Sequence, residues 1–220
     1  KTFEAICNNN YLLANISQER IRDELIKIML SGYPEYGIVK LKKANMLRHI
    51  IPELDICDGC TQSKPWHLYD VFEHTFEALK NAKYLTKDLV TRLAVLYHDT
   101  GKPYAKTIDE NGICHFRGHP AISAEKTRAS LERLRFDNAT IDEVTCLVEY
   151  HDVELRPEKP LVKRLLQKMV RPEIFPKLID IRRSDVMAQN PAMVGDRIER
   201  AEACLDIYYA IMKEQEAIKI

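Results

Sequence analysis

Apolar residues recur at helical spacing along most of this 220-residue chain. Ile21, Leu25 and Ile28 follow the i, i+4, i+7 pattern that places side chains on one face of a helix. Ser17 precedes this run, and its side-chain oxygen can accept a hydrogen bond from the first free backbone N–H groups of a helix. The pattern therefore predicts an amphipathic helix over residues 17–31.

The same period continues toward the C-terminus. Pro34 suits the first turn of a second helix, which we expect to end near Pro52. The segment Leu54–Pro65 is predicted to be a loop, since it contains Asp58-Gly59. Seven more helices are predicted beyond it, over about 66–85, 88–99, 119–135, 138–151, 160–171, 173–190 and 191–214.

One segment departs from the helical pattern. In Thr107–Phe116, the turn-forming run Asp109-Glu110-Asn111-Gly112 stands between short apolar stretches, which favours a small β-hairpin. The predicted fold is therefore all-α with this one hairpin. We expect a short N-terminal helical segment, 1–55, to lean on a larger helical domain, 56–220.

Charge and composition narrow the functional classes. The 33 Lys and Arg balance the 33 Asp and Glu, so a global positive field that holds nucleic acid is excluded and any RNA contact must be local. No apolar stretch reaches the roughly 20 residues of a membrane span, so we expect no membrane contact. The six unevenly spaced cysteines suit reduced thiols in the cytoplasm, and Cys57-x-x-Cys60 has no partner pair to complete a zinc site.

The histidines and aspartates carry the candidate chemistry. Six of them are separated by about one helix and one connection each, so successive helices can aim them at one centre: His74, His98, Asp99, His119, His151 and Asp185. Imidazole and carboxylate together bind divalent metals, and we expect two ions chosen from Mn, Ni, Mg, Fe or Co. Two such ions about 3.5–4 Å apart activate water for attack on a phosphoryl group. Asp99 is the natural bridging carboxylate.

Neighbouring residues extend the predicted site. Gly101 is expected to end its helix in a left-handed cap, and Lys102 to place an ammonium where it anchors a substrate phosphate. Further candidates for phosphate contact are Arg117, Arg182 and Arg183.

Two more residues are candidates for supporting roles around the ligands. Asp70 lies one turn before His74 and is predicted to accept the second ring proton of that histidine. His115 is either a supporting or substrate-contacting group or a loop residue, with neither alternative favoured. His49 and His67 fall outside the predicted set.

With these residues in this order, the chain resembles the HD superfamily of metal-dependent phosphohydrolases, including the stretch Leu96-Tyr97-His98-Asp99-Thr100-Gly101-Lys102. It is more closely similar to the C-terminal half of bacterial CCA-adding tRNA nucleotidyltransferases and poly(A) polymerase-like proteins. The segments that carry this likeness are 16–25, which resembles their neck helix, and 47–54, 70–75 and 115–119.

The resemblance implies a substrate class and a partner. It implies hydrolysis of a nucleotide or RNA-end phosphoester, such as a 2′,3′-cyclic phosphate or a 2′-phosphomonoester, and contact with tRNA through the neck and body. The Gly-Ser and Asp-x-Asp motifs of the catalytic head in those enzymes are absent, so nucleotide addition is not expected of this chain alone. A head upstream of Lys1 would belong to the parent protein.

Other interpretations stay open at this stage. The chain could be a non-catalytic module that holds RNA, in which a bound metal is only structural. The basic residues Lys40, Lys42 and Lys43 and the cluster over 159–168 would then contact RNA, whereas basic residues of this kind usually form solvated helix faces. The site could instead hold one metal and act on free nucleotides. Apolar positions of the last helix, Leu205, Tyr208, Tyr209 and Met212, are interpreted as a packing stripe, with a homodimer contact as the alternative.

Overall fold

The computed structural model describes residues 1–218. Five helices form the N-terminal part: α1 (Thr2–Asn8), α2 (Gln18–Leu30), α3 (Pro34–Lys43), α4 (Leu47–Ile50) and α5 (Pro52–Asp55). The larger part contains α6 (Val71–Leu85), α7 (Leu89–Tyr97), α8 (Lys102–Ala105), α9 (His119–Arg133), α10 (Asn138–Tyr150), α11 (Lys159–Leu166), α12 (Phe175–Met187) and α13 (Arg197–Ile218).

Two short strands form a hairpin between α8 and α9. β1 (Thr107–Ile108) pairs antiparallel with β2 (Cys114–His115), and Thr107 lies opposite His115. The all-α prediction with one small hairpin is confirmed. No helix within residues 1–218 is both long enough and apolar enough to span a lipid bilayer.

Side-chain caps fix where the longer helices begin. Ser17 accepts the N–H of Arg20 at the start of α2, as its position in the sequence predicts. Asp70 caps α6 in a reciprocal capping box with Glu73. Asp88 and Asp137 cap α7 and α10 by accepting the backbone N–H groups of Thr91 and Thr140, so these helices start at the expected residues.

Several predicted bounds are wrong. The helix expected from Pro34 to Pro52 is divided into α3 and α4, because Asn45 adopts a left-handed backbone with φ 54°, and α5 begins at its expected end. The helix expected over 66–85 begins only at Val71, and the one expected over 160–171 ends at Leu166. The last helix starts at Arg197, after a 3₁₀ turn at Pro191–Met193.

One continuous apolar core joins the N-terminal helices to the rest. Ile21, Leu25 and Met29 of α2 belong to the same buried cluster as the apolar residues of α6, α7 and α12. The buried Arg92 side chain of α7 donates to the carbonyl oxygens of Met29 and Ser31 and so satisfies the C-terminal end of α2. The N-terminal part is therefore packed directly on the helices that carry the histidines.

The cysteines and the last helix add to this core. All six cysteines are free thiols, and Cys57 and Cys60 are buried. On α13, Tyr208 is buried and stacks on Phe175 with ring centroids 5.4 Å apart. Tyr209 is 56% exposed, so it was wrongly assigned to the packing stripe.

Candidate metal centre

Six buried side chains meet between the ends of four helices and the last turn of α12. His98 and Asp99 follow the last turn of α7, and His151 follows α10. His119 opens α9, while His74 and Asp185 project from α6 and α12. None of the six is more than 7% exposed.

Asp99 divides this cluster into two groups. Its Oδ2 lies 3.2 Å from Nε2 of His98 and 3.7 Å from Nε2 of His74. Its Oδ1 lies 3.3 Å from Nε2 of His119 and 3.6 Å from Nε2 of His151. Metal–nitrogen bonds of about 2.0–2.1 Å place neighbouring ligand atoms about 3.0–3.4 Å apart, which is close to these separations. Each group therefore has the spacing to hold a metal ion.

Asp185 belongs to the first of these groups. Its Oδ1 lies 2.9 Å from Nε2 of His74 and 3.9 Å from Nε2 of His98. Gln189 donates to the same oxygen from one turn further along the chain. The guanidinium of Arg182 lies 3.6 Å from Oδ2, so the carboxylate is held on both sides.

Backbone carbonyls orient three of the four imidazoles. Nδ1 of His98 lies 2.7 Å from the oxygen of Val95, at the end of α7. The corresponding carbonyls are Phe116 for His119 and Val148 for His151, at 2.9 and 2.7 Å. An Nδ1 that donates to a carbonyl leaves Nε2 of a neutral ring as a lone pair. These Nε2 atoms face the centre, the arrangement that metal-binding histidines usually have.

The donor set fits divalent cations. Nε2 of His98 is buried without a hydrogen-bond partner in the described part of the chain. Asp99 Oδ2 also makes no hydrogen bond there, although the ammonium of Lys102 lies 2.7 Å from it. A buried polar atom left unpaired costs roughly 1–3 kcal/mol, which a bound cation would offset. Nitrogen and carboxylate donors without thiolates suit divalent ions such as Mn, Fe, Co or Ni.

The electrostatics keep both carboxylates ionised. Burial by itself would raise the pKa of Asp99, but the charges of His98 and Lys102 hold it well below its usual range. For Asp185, burial is likewise outweighed, chiefly by the hydrogen bond and charge of His74, so its pKa is also well below the usual range. The centre thus offers two negative charges to cations.

The basic side chains predicted to contact phosphate lie in different places. Lys102 is buried at the centre and donates to Oε1 of Gln62 at 2.8 Å. Arg117 is exposed and lines the same cavity as the cluster. Arg182 is buried against His151 and Asp185. Arg183 pairs with Asp180 and with Glu202 of α13 and does not line the cavity of the cluster, so its assignment to the site is wrong.

Two expectations about supporting residues are also wrong. Asp70 accepts from the N–H groups of Gly59 and Glu73, and within residues 1–218 Nδ1 of His74 has no hydrogen-bond partner. Asp70 therefore serves as a helix cap. Gly101 has φ −80°, which is not left-handed. Glycine is required there by space, because a Cβ would lie 2.5 Å from the backbone oxygen of His119.

A cavity of about 370 Å³ opens onto the cluster. Its walls include His115, which pairs with Asp109 at 2.9 Å. They also include residues that the sequence pattern did not indicate, namely Trp66, His67, Asp152, Gln189 and Arg197. His67 was placed outside the site, yet its ring centroid lies 5.4 Å from that of His74. It stands in an irregular loop, where no periodicity reveals which way a side chain points.

Comparison with known families divides the chain in two. Residues 71–188 match the HD domain family, and residues 1–57 match a family described as the probable RNA and SrmB-binding site of polymerase A. The first match contains all six clustered residues, and the second covers α1 to α5.

Individual relatives include several tRNA nucleotidyltransferases. The chain is 33% identical over 175 residues to a CC-adding tRNA nucleotidyltransferase of Thermus thermophilus, covering 78% of this chain and 40% of that protein. It is 36% identical over 172 residues to an A-adding tRNA nucleotidyltransferase of Deinococcus radiodurans, covering 76% and 38%. A multifunctional CCA protein of Legionella pneumophila is 30% identical over 76% of this chain and 42% of that protein. The match thus spans about 40% of the length of these relatives.

Proposed function

This chain belongs to the HD domain family, and we propose that it is a metal-dependent phosphohydrolase acting on nucleotide or RNA-end phosphoesters. The observation that carries the proposal is the position of Asp99, whose two oxygens face different pairs of histidine nitrogens in a buried centre. A carboxylate placed in this way can join two cations. The similarity to tRNA nucleotidyltransferases supports an RNA end or nucleotide as the substrate.

The proposed ligands fall into the two groups described above. His74, His98 and Asp185 would hold one divalent ion, His119 and His151 would hold the other, and Asp99 would contribute a carboxylate oxygen to each. When bound, such a pair of ions lowers the pKa of water and neutralises charge that develops on a phosphoryl group. Mn, Ni, Mg, Fe and Co are the candidate metals.

Lys102 and Arg117 bind the phosphate in this proposal. Gln62 keeps the ammonium of Lys102 at the cavity wall, beside Asp99 Oδ2. From there the ammonium can donate a further hydrogen bond to a non-bridging phosphate oxygen. Arg117, exposed at the rim, binds a second oxygen of the same group.

The reaction consumes one water molecule for each ester. The water oxygen forms a bond to phosphorus, the ester P–O bond breaks, and the alcohol oxygen leaves with a proton that comes from the water. A nucleoside 2′,3′-cyclic phosphate would give a phosphomonoester, and a 2′-phosphomonoester would give inorganic phosphate.

Hydrolysis of both nucleotide types with added Mn²⁺ tests this proposal. We expect Asp99→Ala to abolish turnover, because both groups lose their shared ligand. Asp142→Ala is the matched control, since this half-buried aspartate pairs with Arg128, away from the metal centre. Manganese-dependent hydrolysis that survives in Asp99→Ala would contradict the assignment.

A second candidate function is tRNA binding by the N-terminal part, with the metal centre as a structural element. The match of residues 1–57 to an RNA-binding family favours it. Lys42 is held by Asp55 and Asp58, whereas Lys40 and Lys43 are exposed on the same helix. Filter binding of a tRNA acceptor stem at increasing salt separates the two functions. A binding module keeps a salt-dependent affinity in Asp99→Ala, and loses it in the double variant Lys40→Ala, Lys43→Ala.

A further inference from the structure

The loop that precedes α6 brings the only tryptophan of the chain to the candidate metal centre. Trp66 lines the cavity and is 49% exposed. The next residue, His67, has its ring centroid 5.4 Å from that of His74, a proposed ligand. The indole therefore lines the same cavity as the proposed ligands Asp99, His119 and Asp185.

Hydrogen bonds fix the backbone that carries this indole. Asn190 donates from its backbone to the oxygen of Trp66 at 3.1 Å and from its side chain to the oxygen of Pro65 at 2.7 Å. These bonds tie the loop to the turn between α12 and α13. The position of Trp66 is therefore set in advance of any ligand.

Arg197 adds a second constraint on the ring. Its guanidinium lies 5.9 Å from the ring centroid of Trp66, within the range of a cation–π contact. The guanidinium also donates to Oε1 of Gln189 at 2.8 Å and to the oxygens of Met193 and Val194. The indole thus rests on a fixed cation and still keeps about half of its surface free.

An exposed aromatic surface beside a polar, cation-lined cavity matches one chemical class of ligand. A nucleotide combines a flat aromatic base with a phosphate, and bases stack on aromatic side chains whatever their sequence. A simple alkyl phosphate offers nothing to the indole. Phosphate-binding residues Lys102 and Arg117 line the same cavity.

We propose that Trp66 stacks on the base of the substrate and makes the site selective for nucleoside phosphates over alkyl phosphoesters. The inference rests on the proposed function for the identity of the reacting group. Binding of the base itself needs no hydrolysis, so it can be tested separately.

Intrinsic fluorescence reports on Trp66 alone, because no other tryptophan is present. The full chain is first freed of metal with a chelator so that no turnover occurs. It is then excited at the red edge of the indole absorption band and titrated with adenosine 2′-monophosphate. We expect saturable quenching by the nucleotide and none by inorganic phosphate or glycerol 2-phosphate. An emission spectrum that the nucleotide leaves unchanged would overturn the proposal, whether or not the chain is a hydrolase.

Kinetics provide the second test. Trp66→Leu should raise KM for adenosine 2′-monophosphate roughly tenfold with kcat nearly kept, and Trp66→Tyr should restore most of the loss. Tyr104→Leu removes another exposed aromatic residue, outside the cavity lining, and should leave KM unchanged. An unaltered ratio of kcat/KM between this nucleotide and glycerol 2-phosphate in Trp66→Leu would contradict selective stacking. If neither compound is hydrolysed, the hydrolase proposal fails, and the fluorescence titration still decides on stacking.

Discussion

His119 and His151 point their Nε2 atoms at each other across 3.3 Å. Both rings donate from Nδ1 to a backbone carbonyl, so in the neutral state each Nε2 presents a lone pair. Two facing lone pairs repel unless a positive charge lies between or beside them. Asp99 Oδ1 is 3.3 Å from the first ring and adds negative charge at the same point. This part of the core is therefore arranged for a cation.

Metal should stabilise the folded chain through this arrangement. A ligand that binds only the folded state stabilises it by about 2.7 kcal/mol at one hundred times its Kd. We expect added Mn²⁺ to raise the Tm of the wild-type chain, and to raise it less in His119→Asn. The check is thermal unfolding followed by circular dichroism, with and without metal. His115→Asn is the control and should respond like the wild type, since His115 pairs with Asp109 instead of facing Asp99.

Gly101 should be intolerant of a side chain. A Cβ there would lie 2.5 Å from both the oxygen of His119 and the backbone nitrogen of Ser123, and a backbone cannot move aside cheaply. We expect Gly101→Ala to lower the free energy of unfolding by roughly 1–3 kcal/mol and to weaken metal binding by displacing α9. Urea unfolding measures the first effect. Gly32→Ala, where nothing lies within 4 Å of the new Cβ, should cost little; equal losses in the two variants would refute the steric explanation.

Lys102 should contribute to turnover through its charge. Hydrogen bonds to charged groups are worth about 1.5–3 kcal/mol, so Lys102→Met is expected to lower kcat/KM roughly tenfold to a hundredfold. Initial rates of nucleotide hydrolysis provide the measurement. Lys106→Met removes a neighbouring lysine that donates to the backbone and side-chain oxygens of Thr61, and this variant should keep the wild-type rate. A Lys102→Met enzyme as fast as the control would exclude a role in binding phosphate.

Asp88 should make stability depend on pH. Burial acts to raise its pKa, but hydrogen bonds from Thr91 and Lys177 outweigh this and lower the pKa below the usual 3.8. The unfolded chain then binds more protons in acid, so the stabilisation is complete well above pH 4 and is lost as the pH falls through the folded pKa. Asp88→Asn keeps the cap but not the charge.

Urea unfolding at several pH values tests this sign. The difference in unfolding free energy between wild type and Asp88→Asn should shrink as the pH is lowered from 6 to about 3. A difference that stays constant over this range would show that the charge of Asp88 has no part in stability.

Local sequence signals accounted for much of the fold. The capping position of Ser17 and the apolar period after it determine α2, and the turn residues 109–112 determine the hairpin. The sequence does not predict the break at Asn45, because one residue with a left-handed backbone does not change the spacing of the apolar residues around it. The late start of α13 follows from the 3₁₀ turn at Pro191–Met193, which competes with a helical pattern.

The candidate site shows the same limit. The six histidines and aspartates were recognisable because their types and order carry the signal, and they do lie together. Trp66 and His67 were not, since they reach the cavity through an irregular loop that is fixed by Asn190, more than 120 residues away in sequence. Asp70 is the opposite case, a residue assigned to the site that does not belong to it. It lies one turn before His74, but its carboxylate accepts the backbone N–H of Glu73 and caps the helix.

The central claim is that Asp99 joins two metal ions, and counting those ions tests it most directly. The metal-free full chain is saturated with Mn²⁺, passed through a desalting column, and analysed for metal per chain by mass spectrometry. We expect two equivalents in the wild-type protein and well under one in Asp99→Asn, whose side chain has lost its charge. Metal content that is the same in both proteins, or absent from the wild type under saturating conditions, would contradict the account.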